Sequence, residues 1–156
     1  MKRIAVIGAG NMGAALIGGI LKAGVADSSH VVATVRTPER AEELAAKYGI
    51  RVTAGGNREA VTESDLVVLA VKPGTLPKVL EEIHEELRPD QILLSLAATF
   101  PISLIEKLID RNMPVFRAMP NIPVVVEEGA TGCRPTIGRS IGDDHAGSSR
   151  SRVLWK

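Results

Sequence analysis

The sequence predicts an α/β fold, a doubly wound and mostly parallel sheet, on three observations. Strand-like and helical segments alternate from the first residues onward. Two strand candidates are apolar runs, residues 66–71 without a break and 92–98 interrupted only by Ser95, as strands buried on both faces require. The first apolar strand runs directly into Gly8, Gly10 and Gly13 at G-x-G-x-x-G spacing, and a helical stretch follows at once.

Each element has its own local reason. Residues 3–7 read as the first strand, 12–22 as a helix stopped at Gly24, and 31–35 as the second strand. Thr37 is an N-cap with Pro38 at the first helical position, and Gly49 suits the position after Tyr48, which bounds a helix over 38–48. A short strand near 50–52 and a helical turn near 57–62 precede the apolar run at 66–71. In a helix over 76–87, Leu76, Val79, Leu80, Ile83 and Leu87 fall on one stripe, with Glu81, Glu82, Glu85 and Glu86 outward. His84 lies off that stripe and reads as a solvated histidine. A strand over 92–98, a helix over 102–111, a strand over 114–119 and the apolar Val124-Val125-Val126 complete the pattern.

At 156 residues and 45% apolar content the chain has the material for one domain with a real core. No apolar run is long enough to span a bilayer, the N-terminus lacks a secretory signal pattern, and a cytoplasmic location is expected. The single cysteine, Cys133, excludes an intrachain disulfide framework and any multi-cysteine metal motif. No metal site is expected. A net charge of +1 gives no general case for nucleic-acid or membrane partners. Residues 1–132 carry 14 Lys and Arg against 16 Asp and Glu, whereas the last 24 carry five basic and two acidic residues. Arg, Ser, Gly and Asp dominate there, so 1–132 is expected to be the domain and 133–156 a poorly ordered tail. A basic nucleic-acid arm is the alternative reading of the tail.

The glycines carry the chemistry. Gly8 permits the tight turn out of the strand, Gly10 lets backbone approach a pyrophosphate, and Gly13 lets the helix sit close to the sheet. Helix N-H groups and the positive end of the dipole then face the phosphates. This is the pattern of a Rossmann-type NAD(P)-binding domain; a glycine turn that merely packs a helix on a sheet is the bland alternative. An NAD site usually has a carboxylate at the end of the second strand, but Val35-Arg36-Thr37 stands here. Arg36 suits a 2′-phosphate and Thr37 can donate a hydroxyl, so NADPH is expected over NADH. Arg40, one turn into the next helix, offers a second positive charge.

Three segments together carry a family resemblance: Ile7-Gly8-Ala9-Gly10-Asn11-Met12-Gly13, Ala70-Val71-Lys72-Pro73, and Arg117-Ala118-Met119-Pro120-Asn121-Ile122-Pro123 leading to Glu128-Gly129-Ala130-Thr131. In order and spacing they resemble the N-terminal portion of the pyrroline-5-carboxylate reductases, over about residues 1–132. The resemblance implies NADPH-dependent hydride transfer to the C=N carbon of the cyclic imine 1-pyrroline-5-carboxylate, the last step of proline biosynthesis. It implies that Ile7 to Met12 hold the pyrophosphate, Arg36 and Thr37 the 2′-phosphate region, and Asn57 the adenosine side. Ala70, Val71, Lys72 and Pro73 would line the cofactor, and Ala98 and Asn121 would lie toward the nicotinamide. Lys72 is the one candidate for a proton donor, although a cofactor-positioning role suits it better, because a protonated iminium needs a hydride more than an acid.

Thr99 and Ile122 depart from a glycine and a threonine usual in that family. The family also has a C-terminal helical domain that builds the dimer and holds the substrate carboxylate, and the sequence after Cys133 does not resemble it. A truncated form, produced by a shifted reading frame near codon 132, is therefore expected; the underlying DNA would show the helical domain in another frame. A non-catalytic NADP-binding module is the alternative function. A related reductase acting on a hydroxy acid or a deazaflavin is a third, against which the Met119-Pro120-Asn121 segment argues.

Overall fold

The computed structural model describes residues 2–120 and 131–136. Seven strands form one sheet: β1 (Ile4–Ile7), β2 (Val31–Val35), β3 (Arg51–Ala54), β4 (Leu66–Leu69), β5 (Ile92–Ser95), β6 (Val115–Pro120) and β7 (Thr131–Thr136). Their order is β3-β2-β1-β4-β5-β6-β7, parallel throughout except for the antiparallel β6–β7 pair. The helices are α1 (Asn11–Lys22), α2 (Pro38–Tyr48), α3 (Asn57–Thr62), α4 (Leu76–Ile83) and α5 (Ile102–Ile109).

Alternation along the strands divides the core in two. Ala5, Ile7, Val67, Leu69 and Leu93 face a cluster with Leu76 and Leu80 of α4 and Ile105 of α5. Ile4, Val6, Ala33, Val35 and Val68 face the other, with Ile17 of α1 and Leu44 of α2. Helices on both sides explain why the central strands lack the apolar-polar alternation of a half-solvated sheet. β1 pairs with both β2 and β4, Ile4 lying opposite Val31 on one side and Leu66 on the other. The chain's direction of winding reverses there, which opens a crevice beyond the strands' carboxyl ends.

Local signals hold at α2: Thr37 Oγ1 accepts from the Arg40 N-H at 3.4 Å, and Gly49 takes the left-handed conformation, φ 64°, after the last turn. The stripe expected on α4 is buried, including Leu87, but the regular helix stops at Ile83. His84 is half-buried there, and its Nδ1 lies 2.6 Å from the Glu81 carbonyl. β4 and β5 also end earlier than their apolar runs, since Ala70–Val71 and Leu96–Ala98 already belong to the loops at the crevice.

The sheet continues past Gly132. β7 spans the boundary expected between domain and tail, and places Cys133 opposite Ala118 and Pro135 opposite Phe116. Pairing with β6 satisfies backbone that composition alone leaves unassigned, and a proline is tolerated in the outermost strand of the described sheet. The Val124-Val125-Val126 segment, Asn121 and residues 137–156 lie outside the described residues.

Gln91 joins the loop before β5 to the end of α3. It is fully buried; its Nε2 donates to the carbonyls of Val61 (2.8 Å) and Ser64 (2.6 Å), and its Oε1 accepts from the Arg88 N-H (2.7 Å). Gln91→Ala leaves the Arg88 N-H without its acceptor, removes one donor each from the Val61 and Ser64 carbonyls and opens a cavity, and is expected to destabilise the fold by about 2–4 kcal/mol, read from denaturant unfolding. A change within 0.5 kcal/mol, roughly that of an ordinary surface substitution, would contradict this role.

Candidate functional site

The three glycines of the β1–α1 turn meet three different demands. Gly8 sits at φ 77°, and a Cβ there would overlap the Val71 side chain, so both backbone and space require glycine. A Cβ at Gly13 would lie 3.1 Å from Ala70 Cβ and 3.3 Å from Val6 Cγ1, which measures how closely α1 approaches the sheet. Gly10 has ordinary dihedrals as the N-cap of α1, and a Cβ there would meet no atom within 4 Å. Nothing inside the protein demands glycine at that position. Its open space lies at the cleft.

The turn is held by β2. The Gly8 N-H donates to Thr34 Oγ1 at 3.2 Å and the Ala9 N-H to the Thr34 carbonyl at 2.8 Å, while the Gly10 N-H turns back to the Gly8 carbonyl at 2.7 Å. No side chain caps α1, and its first turn holds no acidic residue. The positive end of the helix is therefore left to an anionic ligand.

A cleft of about 750 Å³ opens beyond the carboxyl ends of β1, β2 and β4. It brings together Ile7, Gly8, Ala9, Gly10, Arg36, Thr37, Asn57, Ala70, Val71 and Lys72, all expected cofactor residues, and also Arg40. Asn11, Met12, Gly13, Pro73 and Ala98 do not line it. Gly13 is buried against the sheet, whereas Asn11, Pro73 and Ala98 are exposed beside the cleft-forming loops. Thr34, Gly55, Lys78 and Glu82 also line the cleft, where no sequence motif marks them. Lys78 and Glu82 sit on the α4 positions opposite the buried stripe, a signal that could have found them only with the sheet order in hand.

The electrostatics are uneven. Arg36, Lys72 and Lys78 have no ion-pair partner among the described residues. Arg40 is not the second free charge expected of it, because its Nη1 binds both oxygens of Glu43 at 2.7 Å. Glu82 is the single carboxylate in the lining. Its Oε2 accepts from Asn57 Nδ2 at 2.9 Å. An uncapped helix end, an open glycine and three unpaired cations together fit a polyanionic ligand such as a dinucleotide. A second cleft, of about 250 Å³, lies at the opposite ends of the strands between Arg3, His30 and Arg51, and Arg51 is already paired with Glu63 there. Open α/β sheets bind ligands at the carboxyl ends, which favours the larger cleft.

No helix among the described residues is long and apolar enough to cross a membrane, and no group of three His, Cys, Asp or Glu residues among them could hold a metal ion.

Comparison with known proteins agrees with this geometry. The chain is 40% identical over 134 residues to the pyrroline-5-carboxylate reductase of Methanosarcina acetivorans, which covers 86% of this chain and 49% of that protein. It is 39% identical over 130 residues to the Pseudomonas aeruginosa pyrroline-5-carboxylate reductase, covering 83% and 47%. The solved structure of the Coxiella burnetii pyrroline-5-carboxylate reductase superposes with a TM-score of 0.81 at 34% identity, over 86% of this chain and 50% of that one. The chain thus spans about half the length of the curated relatives it matches. Residues 3–99 match the model of the family described as NADP oxidoreductase, coenzyme F420-dependent, and the chain belongs to that family.

Proposed function

We propose that this chain binds NADPH in the β1–β2–β4 cleft and provides the cofactor-binding part of a reductase that converts 1-pyrroline-5-carboxylate to L-proline. The observation that carries the cofactor reading is the open face at Gly10 beside an uncapped helix start in a cleft with three unpaired cations. The likeness to pyrroline-5-carboxylate reductases supplies the substrate. When bound, NADPH supplies a hydride to the imine carbon; with one proton on nitrogen the products are proline and NADP⁺.

The chain's own contribution is binding and orientation. The backbone from Ile7 to Met12 receives the pyrophosphate, Arg36 and Thr37 receive the 2′-phosphate, and Asn57 lies toward the adenosine. Ala70, Val71, Lys72 and Pro73 border the cofactor at the end of β4, with Ala98 and Asn121 toward the nicotinamide. Lys72 is exposed and serves to position the cofactor by charge; no buried acid is needed if the imine arrives protonated. Orienting the two reactants is the chief source of rate in this scheme.

A second reading is an NADP-binding module without turnover, since the described residues of the cleft serve binding alone. Purified chain supplied with NADPH and 1-pyrroline-5-carboxylate separates the two. NADPH oxidation coupled to proline formation supports the reductase reading; NADPH binding with no proline supports the module.

A Cβ at Gly10 meets no protein atom within 4 Å, so Gly10→Val, which fills the space where the pyrophosphate would lie, should abolish NADPH binding while leaving the fold intact. Undiminished affinity in a folded variant would refute the pyrophosphate assignment. Arg36→Ala should weaken NADPH by about 1.5–3 kcal/mol and NADH far less, measured by titration calorimetry. Equal losses for both nucleotides would remove Arg36 from the 2′-phosphate.

A further inference from the structure

A chain of hydrogen bonds runs from the glycine turn to the outer surface of α4. The Gly8 N-H donates to Thr34 Oγ1 (3.2 Å), the Thr34 hydroxyl donates to Asn57 Oδ1 (2.7 Å), and Asn57 Nδ2 donates to Glu82 Oε2 (2.9 Å). Its polarity is fixed at both ends. A backbone N-H can only donate and an ionised carboxylate can only accept, so the Thr34 proton must point at Asn57 and the Asn57 amide must keep its oxygen toward Thr34. We infer that Asn57 and Glu82 are positioning residues: through Thr34 they fix the glycine turn in the form that receives the pyrophosphate. This inference rests on the dinucleotide reading proposed above.

Glu82 makes the case distinctive. A carboxylate in a cleft lined by Arg36, Lys72 and Lys78 repels an anionic ligand and, by charge alone, weakens its binding. Its place at the end of the relay gives the opposite effect. Without that acceptor the amide of Asn57 is no longer held in one orientation, and its NH₂ group can turn toward Thr34. The Thr34 oxygen would then accept from two donors, and its grip on Gly8 would weaken. Thr34 is 1% exposed, so no bulk water replaces the lost partner. Glu82 itself is exposed and contributes nothing to the core, which lets its influence on the turn be read apart from folding.

The test is Glu82→Leu in the 156-residue chain, read by NADPH affinity, by thermal midpoint and by hydrogen exchange of the Gly8 amide in the free protein. The relay predicts about three- to tenfold weaker NADPH binding, faster Gly8 exchange and an unchanged midpoint. Charge repulsion alone predicts tighter binding. Asn57→Leu removes the same link with no change of charge and should speed Gly8 exchange in the free protein, a readout that a direct contact of Asn57 with the nucleotide would not move, whereas Thr34→Ser, which keeps the hydroxyl, should retain far more affinity than Thr34→Val. Unchanged or tighter binding by Glu82→Leu, with Gly8 exchange unaltered, overturns the relay while leaving the dinucleotide reading intact. Failure of the unsubstituted chain to bind NADPH overturns that reading, and the inference with it.

Discussion

The N-H groups of Gly8 and Ala9 both end on Thr34, and the orientation of the β1–α1 turn depends on that pair of hydrogen bonds. β1 leaves the sheet between β2 and β4, where no regular ladder partner continues, so β2 must supply the acceptors that hold the turn. With the turn fixed, Gly13 brings α1 to within contact of Ala70 and Val6, and the helix end is aimed at the cleft. A turn set by the protein's own bonds needs little ordering when a ligand arrives, which conserves binding energy.

Charge is distributed to the same end. Most ionic contacts lie on the helix surfaces: Arg58 of α3 reaches Glu85 and Glu86 after α4, and Arg40 reaches Glu43 within α2. The hydrogen bond and charge of Glu86, with a smaller contribution from Glu85, raise the Arg58 pKa above its ordinary value. Exposed pairs of this kind add little to stability. Their consequence for the site is that the cations remaining unpaired among the described cleft residues, Arg36, Lys72 and Lys78, face one opening, where the only carboxylate is tied to Asn57.

Much of this organisation is legible in the sequence. The glycine spacing, the Thr37 and Gly49 caps and the α4 stripe each express one local rule, and each is found where those rules put it. Helix ends and strand ends are less legible: the apolar runs after Leu69 and Ser95 continue into loops, because the loops at the cleft are themselves partly buried. β7 has no period to read and exists by pairing with β6. The Thr34–Asn57–Glu82 contacts join residues 23 and 25 apart on three elements, and only the sheet order makes them neighbours. The pairing of Arg40 has a simpler origin, since Glu43 lies one turn along the same helix.

The proposed dinucleotide site consists of the glycine turn and the adjoining end of β2. Titrating the ¹⁵N-labelled chain with NADPH and following its amide resonances tests this most directly. Saturable shifts are expected to concentrate at Gly8 to Gly13 and Thr34 to Thr37, with the β3 end at Gly55 next affected. Shifts confined to the opposite cleft around Arg3, His30 and Arg51, or no saturable shift in a folded sample, would contradict it.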